Sequence, residues 1–181
     1  VLKARNVYKQ SLADFAFMRT HETLELTEAE FLPATNDAVV VVTNPHFNAL
    51  LVHEIIGHPT EADRALKLET AYAGRSWLWR DLHDNELGKQ IASPLLTAYS
   101  DPSINGYGHY KYDAEGTPAK RVTLIENGIL REFMNGREYA AILDHSPNGS
   151  MRATESHAVP LVRMTNTVVA HGNKPPAEIV A

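Results

Sequence analysis

His53, Glu54 and His58 fall in the run Val52-His53-Glu54-Ile55-Ile56-Gly57-His58-Pro59-Thr60-Glu61-Ala62-Asp63. Neutral imidazoles suit Zn²⁺, and a carboxylate beside them can take a proton from water on the ion. A His-Glu pair with a second His close behind is for that reason a zinc-peptidase pattern. The second His here stands at i+5, where i+4 is usual. On a regular α-helix, i+4 leaves two side chains about 40° apart around the axis, whereas i+5 leaves them about 140° apart. A straight helix therefore cannot aim both imidazoles at one ion. Gly57 permits unusual dihedrals and Pro59 disfavours the helical conformation at His58. The helix is expected to end or widen near Gly57, swinging His58 back towards His53. Two ligating ring nitrogens would then approach to about 3–3.5 Å, each lying about 2 Å from the metal. Glu61 and Asp63 are near enough to accept hydrogen bonds from the outer imidazole N–H groups. Spacing alone does not decide the matter, because such a string also arises by chance.

The surrounding elements must hold this turn in place. Tyr8, Leu12, Phe15 and Met18 recur at helical spacing, so residues 1–32 read as helical up to Pro33. Ala38–Val42 is a short β-branched run, as expected of a strand buried on both faces. Asn44 can cap a helix that opens at Pro45. Phe47, Leu50, Leu51 and Ile55 form one stripe on it, as on a helix packed against a sheet. Thr60-Glu61-Ala62-Asp63 reads as a capped start to a second helix. Further on, Ile91–Tyr99 is a strand candidate interrupted by Pro94. Val122–Glu126 and Ile129–Phe133 flank Asn127-Gly128, a strong hairpin signal. Arg137–Leu143 reads as a short helix, Thr165–Ala170 as a last strand, and Pro175–Glu178 as the opening of a further helix. The expected class is α+β: a mixed or antiparallel sheet with the His-Glu helix packed on it.

Composition narrows the field. The 181 residues are 44% hydrophobic and 22% charged, as in ordinary globular proteins. A net charge of −5 without a basic stripe argues against direct nucleic-acid binding. The apolar runs are too short for a membrane span, and no secretory signal is visible. The absence of cysteine favours a reducing compartment such as the cytoplasm, and leaves metal binding to His, Asp or Glu, or to a ligand that this chain lacks. His21, His46, His83, His109, His145 and His171 are scattered and read as surface or loop residues.

Other blocks carry polar groups in suggestive order. Asp113 and Glu115 before Gly116 are either acceptors lining a cleft or a solvated loop before a hairpin. Arg152, Glu155 and Arg163 could bind a peptide's termini or main chain, or pair with one another. Thr165, Asn166 and Thr167 read as the polar face of a strand beside a cleft.

The run from His53 to Asp63 resembles the HE-x-x-G-H-x-x-E-x-D signature of the TldD/PmbA metallopeptidases, also described as modulators of DNA gyrase. Asp113-Ala114-Glu115-Gly116-Thr117-Pro118 is similar to that family's D-x-E-G-T-P stretch. Ile125-Glu126-Asn127-Gly128-Ile129-Leu130 resembles its hairpin. Arg152-Ala153-Thr154-Glu155-Ser156 with Arg163-Met164-Thr165-Asn166-Thr167 resembles its R-x-x-E-S…R-M-T-N-T block. The resemblance departs at Pro59-Thr60, where a bulkier pair is usual. It implies a zinc peptidase of unfolded or small modified peptides, with His53 and His58 as ligands and Glu54 as general base. It also implies a third ligand outside this chain, a cysteine in TldD-type members. Asp113, Glu115, Arg152, Glu155, Arg163, Thr165 and Asn166 would border the substrate. The family's working form is a two-subunit assembly, so a homodimer or a heterodimer with a related subunit is expected, with no nucleic acid or membrane as partner. The alternative is a non-catalytic peptide-binding scaffold, since PmbA-type members lack the metal motif. On this reading residues 1–36 end a preceding domain or linker, and residues 37–181 form an incomplete metallopeptidase domain lacking its C-terminal part.

Overall fold

The computed structural model describes residues 11–68, 70, 74–81, 83–175 and 178–179, and the chain divides into two compact units, Val1–Val41 and Val42–Ala181. In the first unit, helix α1 (Leu12–Glu28) starts at Ser11, whose hydroxyl oxygen accepts from Asp14 N–H at 3.1 Å. Arg19 pairs with Glu22 one turn on. No residue of α1 is buried. Its apolar residues Leu12 and Phe15 are exposed, and Tyr8 lies outside the described residues. The expected strand at Ala38–Val42 does not form. Those residues belong to no strand, and Val39 to Val42 are all exposed, Val40 at 96%. A strand needs a neighbour for its backbone N–H and C=O groups, and none is present among the described residues.

In the second unit, helix α2 (Pro45–Val52) opens as its sequence dictates. Pro45 fills the first turn and the Asn44 side chain accepts from Phe47 N–H at 2.8 Å. Its packing differs from expectation. Phe47, Leu50 and Ile55 are exposed. The face turned towards the sheet carries Asn48, Ala49 and Val52, which border a groove of about 370 Å³ with Thr167, Val168 and Val169 opposite. Thr60 is not a cap either. Its hydroxyl donates to the carbonyls of Ile56 and Gly57, and the short helix α3 (Ala62–Ala65) starts from Glu61.

Strands β1 (Ala98–Ser100), β2 (Val122–Glu126), β3 (Ile129–Leu130) and β6 (Thr167–Val169) form an antiparallel sheet in the order β3-β2-β1-β6. Asn127 and Gly128 make the β2–β3 turn, both at positive φ (50° and 79°). The Ile91–Tyr99 candidate contributes only its end to β1. A second ladder joins β4 (Met151–Arg152) to β5 (Leu161–Val162). Helix α4 (Arg137–Ile142) lies where expected. Part of the expected C-terminal helix, Pro176 and Ala177, lies outside the described residues.

The core gathers Leu78, Val122, Leu124, Leu130, Phe133, Met134 and Val162, with Trp79 edge-on to Phe133 at 5.8 Å. Burial of such side chains contributes about 1.5–3 kcal/mol each. Asn135 and Asn148, both fully buried, exchange backbone-to-side-chain hydrogen bonds at 2.9 Å. This core anchors the chemical segment: Ala62 N–H donates to Met134 O at 2.9 Å and Met134 N–H to Thr60 O at 2.8 Å. The architecture is α+β, with the His-Glu helix on an antiparallel sheet.

Candidate metal centre

The i+5 problem is resolved by the backbone. After Val52 the helix widens into one π-helical turn, His53–Gly57, and then tightens into a 3₁₀ turn, His58–Thr60. His58 N–H donates to His53 O, the i→i+5 bond that stacks residue 58 over residue 53. The two imidazoles meet edge to face with centroids 4.5 Å apart. His53, Glu54 and His58 each offer a ligand atom, and these atoms lie within 4.8 Å of one another. Two nitrogens on one zinc ion stand about 3–3.5 Å apart, a separation that this limit includes.

The cause of the widening differs from the expected one. Gly57 has ordinary helical dihedrals (φ −58°, ψ −65°), and His58 is also right-handed helical despite preceding Pro59. The proline acts through its ring and its missing N–H. In an α-helix its ring would strike the carbonyl of Ile55, and a π turn relieves that clash. Gly57 is needed for space, because a Cβ there would lie 2.5 Å from Met164 Sδ and 2.8 Å from its Cε.

Beneath His58 sits a buried charge cluster. Glu61 is fully buried, and its Oε2 lies 2.9 Å from His58 Nδ1 and 2.6 Å from Arg64 Nε. A carboxylate only accepts, so His58 Nδ1–H donates and its Nε2 lone pair is left for a metal. The other Glu61 oxygen accepts from Met164 N–H at 3.2 Å. Asp63 does not reach an imidazole. Its Oδ1 accepts from Arg64 N–H, and its buried Oδ2 lacks a hydrogen-bond partner, with Arg163 Nη1 at 3.6 Å. Burial, reinforced by the neighbouring Glu61 charge, pushes the Asp63 carboxyl up to about 6. Sequence reasoning missed Arg64. The available signal was its i+3 spacing from Glu61 on a helical turn.

His53, His58, Arg152, Arg163 and Tyr107 border a common cleft of about 820 Å³. Arg152 and Arg163 thus stand beside the imidazoles, while Glu155 is exposed and faces His157 at 3.5 Å. Asp113 is buried and accepts from the backbone N–H groups of Glu115, Thr117 and Met151, which braces the loop before β2. Glu115 accepts from Arg137 N–H at the start of α4. Thr165 exchanges a hydroxyl hydrogen bond with Ser100 at 2.8 Å and borders the groove between α2 and β6. Asn166 ties down the loop carrying Tyr107, donating to Asp101 O and Ile104 O and accepting from Gly108 N–H.

On this α+β fold two histidines and a glutamate gather on a broken helix, a donor set that could hold a metal ion. Residues 36–181 match the PmbA/TldA metallopeptidase C-terminal domain, and the chain belongs to that family. It is 38% identical over 133 residues to a metalloprotease of Methanothermobacter thermautotrophicus, an alignment covering 74% of this chain and 27% of that one. It is 33% identical over 135 residues to the zinc metalloprotease TldD homolog of Saccharolobus solfataricus, covering 74% and 28% respectively. In fold it is similar to TldE from Thermococcus kodakarensis, with a TM-score of 0.52, 24% identity, and coverage of 67% of this chain and 25% of that one. The chain therefore spans little more than a quarter of the length of these relatives. Among the described residues no helix is long and apolar enough to cross a membrane.

Proposed function

We propose that the protein carrying this chain is a zinc-dependent peptidase of unfolded or small modified peptides. His53 and His58 hold the ion through their imidazoles, and Glu54 is the general base. The observation that carries this reading is the π turn, which gathers the donor atoms of His53, Glu54 and His58 within 4.8 Å. Glu61 adds support by fixing the His58 tautomer, as carboxylates behind zinc-bound histidines do. When bound, zinc supplies a Lewis acid for the scissile carbonyl and lowers the pKa of water. Glu54, half-exposed beside His53, takes the proton of the attacking water at its carboxylate and passes it to the leaving amine. Zinc peptidases complete the ligand set with a further protein side chain. We assign that ligand to a part of the protein outside this chain. Residues 37–181 are on this reading the metal-binding portion of the peptidase domain, and residues 1–36 the end of what precedes it. The working form is a pair of such subunits, alike or related.

The test is made on the full-length protein. Glu54→Gln is expected to keep stoichiometric zinc by elemental analysis and to lose about 10²–10⁴ of peptidase rate. Full activity in that variant would remove Glu54 from the mechanism. Failure to bind zinc would favour a peptide-binding scaffold instead.

A further inference from the structure

Arg152 is a charged residue of the cleft wall that the metal chemistry does not use. It stands on β4 opposite Leu161 and shares the cleft with His53 and His58. Its guanidinium is held on two sides. Nη1 donates to Met164 O at 3.0 Å, and Cζ lies 5.8 Å from the centroid of the Tyr110 ring. The Tyr110 platform is itself fixed, since its hydroxyl donates to Gly149 O at 2.8 Å. Arg163, in the same cleft, faces Glu61 and Asp63 at 3.8 and 3.6 Å. Arg152 differs. Among the described residues no carboxylate lies within 4.0 Å of it, although the chain has 22 acidic residues and 17 basic ones. A part-buried, oriented cation without a counter-charge leaves its remaining N–H donors to what enters the cleft. The planar fork fits a carboxylate in bidentate fashion.

We propose that Arg152 is a specificity residue that binds a carboxylate of the peptide substrate in the cleft beside His53 and His58. The carboxylate is either the chain-terminal group or an acidic side chain. The inference rests on the peptidase reading of the same cleft, and its test separates the two. Binding is measured by fluorescence anisotropy on full-length protein carrying Glu54→Gln, which blocks turnover. The probes share one otherwise neutral labelled sequence and end in a free carboxylate, in an amide, or in an amide with a glutamate added near the end.

At least one carboxylate-bearing peptide is expected to bind about 10-fold or more tighter than the plain amide. Preference for the free terminus alone identifies the terminal carboxylate, and preference for the glutamate peptide as well identifies carboxylates in general. Adding Arg152→Gln should bring the ratio to about one. Arg152→Lys, which keeps the charge without the fork, should leave an intermediate ratio. The ratio is taken within each protein, so a general loss of binding affects both peptides alike. Equal binding of all three peptides, no binding, or an unchanged ratio in either variant overturns the proposal. A wild-type protein that shows the preference and cleaves none of the peptides overturns the peptidase reading alone.

Discussion

Replacing the Glu61 carboxylate by the amide of Gln leaves the shape of the site nearly unchanged but removes the charge that orients His58. Zinc affinity in Glu61→Gln, followed by competition with a chelator, is expected to fall about 10–100-fold. Unchanged affinity would mean that the 2.9 Å contact between His58 and Glu61 does not support the metal. Asp63 gives a second prediction at this scale, with a definite sign. Its carboxyl is raised from 3.8 to about 6, first by burial and then by Glu61. The folded state thus holds the proton more tightly than the unfolded chain. Asp63 therefore favours folding most below about pH 4, and that contribution is lost as pH rises through about 6. At about 1.4 kcal/mol per pH unit the loss is about 3 kcal/mol. Urea unfolding across this range should show the slope in the parent protein and a much flatter one in Asp63→Asn.

At the scale of elements, the β2–β3 turn and the π turn depend on glycine for different reasons. Gly128 needs its positive φ, and a Cβ there would also run into the backbone carbonyls of Ala92 and Ser93. Gly128→Ala is expected to lower the unfolding free energy by about 2 kcal/mol or more, since strain and collision act together. Chemical denaturation measures this, and a change below about 0.5 kcal/mol would contradict the geometry. Gly57 only needs room, and what fills that room is the flexible end of Met164. Gly57→Ala should cost about 1 kcal/mol, the low end of overpacking penalties, because the thioether can turn aside. Met164 N–H also holds Glu61, so the contact that demands a small residue at 57 comes from the segment between β5 and β6 that braces the site.

At the scale of the whole molecule, the proposed role of the two histidines would couple folding to metal. A ligand that binds only the folded state adds about 2.7 kcal/mol at a free concentration 100 times its Kd. Saturating zinc is expected to raise the unfolding temperature of the full-length protein, and His58→Ala should abolish that rise. An equal rise in His58→Ala would move the metal elsewhere. The exposed faces of Val39–Val42 and of Phe47, Leu50 and Ile55 show that local apolar pattern and burial part company in this chain.

Residue types and short spacings determined much of this protein by themselves. Asn44-Pro45 specified a helix start because capping and proline φ are local effects. Asn127-Gly128 specified the hairpin because positive φ is a property of those residues. The i+5 spacing of His53 and His58 required a break in the helix if both rings were to face one ion, and the π turn supplies it. Tertiary structure decided how that break was made, whether each apolar stripe was covered, and which polar groups served the frame. Asp113 reads alike in sequence as cleft or brace, and only the approach of Met151 N–H from 38 positions away shows it bracing a loop. Glu61 became the hub under His58 because Arg64 lies one turn on and Met164 arrives from the distant connection between β5 and β6. Such partners are chosen by packing between distant segments, and no local pattern encodes which segment will arrive.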